Sequence, residues 1–169
     1  MAAKSRPRPP SPDEDKLNEL EYALIIMSNA YSHWLLRSTA ATGDSQLNLV
    51  DIVVLHNLFC YKRPKRVADI CFTLNMTDTH TVSYSLRKLI KLKLLESKKV
   101  GKDYFYTVTE SGTELCLKYF DINHECLSKR YNAVAISQNK LSRLSKFLND
   151  LSSIYDQATR ESTLQEKYK

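Results

Sequence analysis

The sequence predicts a mainly α-helical fold that carries one small β hairpin. Three observations point there. Apolar residues recur at three- and four-residue steps through most of the chain. One stretch, LLESKKV–GKD–YFYTVT, changes to a looser alternation of β-branched and aromatic residues around a glycine. Only three glycines interrupt 169 residues, so few sharp loops are available. With 43% apolar and 26% charged residues the composition is that of a globular protein, and no run of about 18 apolar residues is present to span a membrane. The N-terminus is positive but has no apolar segment behind it, which speaks against a secretory signal and for the cytoplasm, beside the nucleoid.

Taken in order, residues 1–16 are rich in Pro, Ser and charge and read as a mobile tail, with Asp13 or Asp15 placed to cap the first helix. From Leu17 to about Ala41, Leu17, Leu20, Leu24, Met27, Tyr31 and Trp34 form one apolar face and Ala23, Ile26 and Ala30 a second. A long helix that is apolar on more than one side calls for burial against a second copy, so 17–47 is assigned as a dimerisation helix and loop. LNLVDIVVLHNLFCYK is a second helix ended by Pro64, and Val67–Leu74 a short third, closed by Asn75. Thr77 or Asp78 then opens a fourth helix that runs to about Leu92. The hairpin comes next with Gly101 at its tip, and Glu110 begins a helix expected to run unbroken to Tyr131. Leu141, Leu144, Leu148, Leu151 and Tyr155 then trace an a/d seam, and a frayed tail is expected over 160–169. A short helix, a turn, a polar-faced helix and a hairpin make a winged helix-turn-helix over 48–109, flanked by dimerisation helices at 17–47 and 110–159.

Charge locates the working surface. Residues 61–103 hold eleven Lys and Arg against four acids, while the rest of the chain is nearly balanced. A single-signed block on a neutral scaffold suits a polyanion. On the fourth helix, Val82, Leu86, Leu89 and Ile90 form an apolar stripe, and the opposite face gathers uncharged polar groups and cations. Thr77, Thr79, His80, Thr81 and Tyr84 are candidates for base edges in a major groove; Arg87, Lys88 and Lys91 come after them for phosphates, with Arg87 also suited to guanine. Asp78 is suited either to capping the helix or to accepting from a cytosine amino group. Lys98, Lys99 and Lys102 crowd the hairpin tip, and Lys62, Arg63, Lys65 and Arg66, just before the third helix, add a further phosphate-facing cluster.

At these residues the chain resembles the MarR family of bacterial transcription regulators. The likeness lies in DTHTVSYSLRKLIKLKLLESKKVGKDYFYTVTESG and the flanking long helices, over about residues 15–157. The DTHTVSYSL variant is similar to an alphaproteobacterial subgroup that includes regulators of L,D-transpeptidase genes. The family's frequent Asp-x-Arg wing tip is absent; Lys98, Lys99 and Lys102 stand there, so minor-groove arginine insertion does not carry over. The resemblance implies a homodimer on a pseudo-palindromic double-stranded DNA operator and a small-molecule effector.

A pocket for such an effector is expected where the first and second helices meet. Tyr31, His33, Trp34, Arg37 and Thr42 would face Leu55, His56, Phe59 and Cys60, a mixture suited to a phenolic or carboxylate ligand or simply to core. Redox sensing through Cys60 or Cys71 is the rival switch. The four cysteines have no C-x-x-C pair and read as small, buried, reduced side chains. No helix carries an i, i+4 pair of histidines, so neither a metal nor a cofactor is expected. No glycine-rich phosphate loop or G-x-S-x-G occurs, which points away from an enzyme. A protein-binding winged helix should have a neutral wing, and a non-specific DNA binder would not need the uncharged polar group on the fourth helix.

Overall fold

The computed structural model describes residues 12–134 and 136–166. Its order is α1 (Pro12–Ala41), α2 (Leu49–Tyr61), α3 (Val67–Leu74), α4 (Thr79–Lys91), β1 (Leu95–Val100), β2 (Asp103–Val108), α5 (Glu110–Asn123), a π turn (His124–Ser128), α6 (Lys129–Ala133) and α7 (Gln138–Glu166). The mainly helical class with one antiparallel hairpin is as the sequence indicated.

Several boundaries differ from expectation. The described part of α1 already covers residues 12–16, inside the segment assigned to the tail, so Asp13 and Asp15 lie within the helix. The expected mobility of residues 1–11 lies outside the described residues. The helix expected to be unbroken from Glu110 passes through a five-residue π turn at His124–Ser128. α7 continues past Arg160 to Glu166, where side-chain bonds such as Gln157 Nε2 to Glu161 Oε1 (2.9 Å) and Thr163 Oγ1 to the Thr159 carbonyl (2.9 Å) span successive turns.

The chain divides into two compact units, one up to Asp121 and one from Ile122. The core of the first is formed by Ile52, Val54, Leu55 and Leu58 of α2, Ile70 and Cys71 of α3, Val82, Leu86 and Leu89 of α4, Leu94 and Leu95 at the start of the hairpin, and Leu115, Cys116 and Tyr119 of α5. Leu35, at the C-terminal end of α1, joins it. Upstream of that point α1 keeps large apolar side chains in solvent: Tyr22, Ile25, Ile26, Met27 and Tyr31 are all more than half exposed. In the second unit Leu144, Phe147, Leu148 and Ile154 of α7 are exposed too, whereas Leu151 is buried.

β1 and β2 pair in register from Leu95↔Val108 to Val100↔Asp103, which leaves Gly101 and Lys102 as a two-residue tip. Gly101 has φ +63°, the left-handed value that the first position of a tight hairpin turn requires. A third rung has no counterpart in the sequence pattern. The Lys65 and Tyr106 backbones exchange both hydrogen bonds, N–H to O at 3.2 and 2.9 Å, so the link between α2 and α3 adds an edge to the wing.

Candidate nucleic-acid interface

The turn between α3 and α4 is set by two caps. Asn75 takes φ +51° after α3, and the Met76 N–H donates back to the Cys71 carbonyl at 2.9 Å, closing the helix as a Schellman turn. Asp78 is the N-cap of α4: its carboxylate accepts from the His80 N–H (2.9 Å) and from the Thr81 hydroxyl. These bonds hold its carboxyl below the usual carboxylate range. Of the two roles open to Asp78, the geometry displays capping.

α4 then lies with Val82, Leu86 and Leu89 fully buried and its other side in solvent. Thr77, Thr79, His80, Thr81, Tyr84, Arg87 and Lys91 are all exposed, Tyr84 to 63%. The Thr81 hydroxyl is committed to Asp78. On the wing, Lys98, Lys99 and Lys102 are exposed, with the Lys99 ammonium 5.8 Å from the centre of the Tyr104 ring. None of these wing lysines has a carboxylate within ion-pair distance among the described residues.

Three of the cations in the basic block are otherwise engaged. Lys88 Nζ bonds Asp51 Oδ2 at 2.5 Å and the Gln46 carbonyl at 2.7 Å. Arg66 forms a two-pronged pair with Asp69, 3.1 Å on each arm, and reaches Asp103 on the wing at 3.7 Å. The paired acid raises the guanidinium's affinity for its proton and offsets its charge, so Arg66 ties α3 to β2. Lys65, expected to face phosphates, is only 1% exposed, because its ammonium is drawn into the fold. Its ammonium bonds Asn57 Oδ1 (2.8 Å) and Thr73 Oγ1 (3.3 Å) and lies 3.4 Å from the centre of the Tyr61 ring. Burial and the nearby Arg63 lower its proton affinity. The partners Asn57, Tyr61 and Thr73 carry no mark in the sequence that sets them apart from other helix residues. For Asp51 a signal is present, since Asn48-x-x-Asp51 is a capping-box spacing, and the structure forms both of its bonds at 2.9 and 3.0 Å.

A family model for a winged helix DNA-binding domain matches residues 47–112. Solved structures extend the likeness through most of the chain. NMB1585, a MarR family regulator from Neisseria meningitidis, is 18% identical with a TM-score of 0.70, covering 87% of this chain and 98% of that one. The chain has the winged-helix fold of the MarR family regulators. Staphylococcus aureus MarR in complex with salicylate and kanamycin gives a TM-score of 0.65 at 18% identity, over 85% of this chain and 95% of that one. A mutant Escherichia coli MarR complexed with operator DNA gives 0.64 at 11% identity, over 81% and 96%. No curated protein matches the chain by sequence. At these identities the likeness is one of fold.

Several of the expected effector residues gather around Tyr119: burial and the nearby Tyr119 and Cys60 raise the pKa of Tyr31, and His56 stacks on the same Tyr119 ring. Leu55 is sealed in the core. The His56 ring lies 4.3 Å from that of Tyr119 and 6.0 Å from Phe120, and burial lowers its pKa to about 4. Trp34 is half-buried, and its indole N–H lacks a hydrogen-bond acceptor among the described residues. Thr42 turns its hydroxyl back to the Thr39 carbonyl (2.7 Å). Tyr31, His33, Arg37 and Cys60 are exposed. Phe59 lines a cleft of about 480 Å³ together with Leu58, Val108, Leu117, Lys62 and Arg63. α2 turns its aromatic edge, His56 and Phe59, toward Tyr119 and Phe120 of α5.

The cysteines also depart from expectation: Cys71 and Cys116 are buried, but Cys60 and Cys126 are exposed. Burial pushes the Cys71 thiol up and that of Cys116 to about 12, so neither offers a ready thiolate. Among the described residues no three His, Cys, Asp or Glu side chains group as metal ligands, and no helix is long and apolar enough to cross a membrane.

Proposed function

We propose that this chain is a sequence-specific, MarR-type transcription regulator, working in the cytoplasm as a homodimer on a pseudo-palindromic operator. The observation that carries the reading is the exposed face of α4 and the turn before it, where Thr77, Thr79, His80, Tyr84, Arg87 and Lys91 stand clear of the fold beside a three-lysine wing. Hydroxyls, an imidazole and a phenol on a helix of groove-fitting width serve base edges, and the flanking cations serve phosphates. Dimerisation is supported by the exposed apolar residues of α1 and, separately, of α7. Two copies would double the reading heads, as a two-fold operator needs.

Modulation by a small aromatic acid is the second part of the proposal. The cleft beside Phe59 has the size of a small-ligand site, lined by apolar side chains and by the cations Lys62 and Arg63. The S. aureus protein of this fold is in complex with salicylate, which makes that acid a suitable probe.

The test begins with duplexes selected by the protein from a random-sequence pool. Tyr84→Ala is expected to bind selected and scrambled duplexes with nearly equal affinity. Lys99→Ala should weaken both alike and flatten the dependence of log K on log salt by about one unit per lost phosphate contact. Reversed phenotypes would show that the faces are wrongly assigned, and failure to enrich any duplex would end the regulator reading. In the same assay salicylate should weaken the wild type and weaken Arg63→Ala less; Arg37→Ala, away from the cleft, should respond as the wild type does.

A further inference from the structure

The engagement of Lys88 raises a question of its own. A lysine on the reading helix, one residue from Arg87 and one turn beyond Tyr84, spends its charge on the protein. Its ammonium spans to two elements distant in sequence: Asp51 in the first turn of α2 and the Gln46 carbonyl in the loop after α1. Asp51 is completely buried, and Lys88 is its one ion-pair partner among the described residues. The same carboxylate oxygen accepts the Asn48 N–H at 3.0 Å, so the ammonium, the α2 cap and the loop form one connected set. Gln46 extends it by donating from Nε2 to Asp44 Oδ1 at 3.2 Å.

Val82, Leu86 and Leu89 seat α4 by close packing in the core, which carries no charge to mark the angle of its exposed face. Charge-assisted hydrogen bonds are directional and resist sliding and rotation. Residues four apart share a helix face, so whatever fixes Lys88 also fixes the azimuth of Tyr84. Gln46, Tyr84, Arg87, Lys88 and Lys91 indeed line a single cleft of about 420 Å³.

We infer that Lys88 is a positioning residue: through buried Asp51 and the Gln46 carbonyl it locks the reading helix to the loop after α1, and makes the end of α1 a lever on α4. The inference rests on the reading of α4 as the DNA-contacting helix. A shift of the 42–48 loop would pull on the ammonium and turn Tyr84 and Arg87 away from their register, with no ligand touching the helix itself.

Two measurements decide it. In DNA binding, Lys88→Met is expected to lose about tenfold in affinity for the selected duplex while keeping the wild-type salt slope, because no phosphate contact is lost. Lys91→Met should lower that slope by about two units for a dimer. Lys88→Arg, which keeps a charged donor, should recover most of the affinity. Asp51→Asn should copy Lys88→Met, and the double variant should be no worse than either single one. A fall in slope for Lys88→Met equal to that of Lys91→Met would make Lys88 a phosphate contact and overturn the inference. The second measurement is hydrogen–deuterium exchange on the free protein, which needs no DNA and stands even if no duplex is bound. Lys88→Met should speed exchange together in 43–48 and along α4, beyond any change that global stability imposes on the α2 core amides. Unchanged protection in either segment would equally overturn it, and should Asp51→Asn fail to fold, Lys88→Met carries both arms alone.

Discussion

At Gly112 a β-carbon would lie 2.2 Å from the Leu94 carbonyl oxygen and 2.8 Å from Val108 Cγ1. Neither the backbone of Leu94 nor a strand side chain can retreat cheaply, since the Thr109 N–H already donates to that same carbonyl (3.1 Å) and the Thr109 hydroxyl to the Lys93 carbonyl (2.7 Å). Gly112→Ala is therefore expected to cost about 3 kcal/mol, read as a fall in the urea midpoint at unchanged m-value. His56 gives a second residue-scale expectation. Its pKa is lowered from 6.5 in the unfolded chain to about 4 when folded, so the unfolded state binds the extra proton. Stability from this group is complete above pH 6.5 and drains away as pH falls toward 4, by roughly 2–3 kcal/mol. His56→Phe, which keeps the ring stack, should flatten urea midpoints compared between pH 7.5 and 5. The TESG segment marked the start of a helix in the sequence, but not that its glycine meets Leu94. The cationic block was legible in the same partial way. Lys65, Lys88 and Lys91 look alike in sequence, and only the distant Asn57 and Asp51 decide which of them are spent.

Elements were easier to read than the contacts between their residues. α3, α4 and the hairpin each carry their own start or stop signals, such as Asn75, Asp78 and Gly101, and fall where those signals put them, while α2 begins two residues later than expected, after the Asn48 cap. At this scale Asn48→Ala should cost about 1 kcal/mol, because it strips the Asp51 N–H of its acceptor at 2.9 Å; a chemical denaturation curve measures it. The wing's third rung was hidden for a different reason. Lys65 shows no strand periodicity, and its pairing with Tyr106 arises only when the α2–α3 link is drawn along β2. The π turn at His124–Ser128 likewise lies in a continuous helical pattern, and nothing local in the sequence marks it.

For the whole molecule, the apolar surfaces of α1 and α7 carry the testable consequence. Sedimentation equilibrium should return about twice the 19.5 kDa chain mass, and charge placed at Ile26 or Leu144 should lower it toward the monomer while far-UV dichroism stays helical. A monomer at micromolar concentration would remove the two-headed reading but leave the winged-helix fold in place. The Lys65–Tyr106 rung bears on any attempt to move this wing between scaffolds. A graft that takes only Leu95–Val108 would arrive with one rail of its ribbon bare, its Tyr106 amide and carbonyl unmatched. The transplantable module is thus discontinuous: it must bring Tyr61–Arg66 with it, together with Asn57 and Thr73 to receive the lysine that this short segment carries.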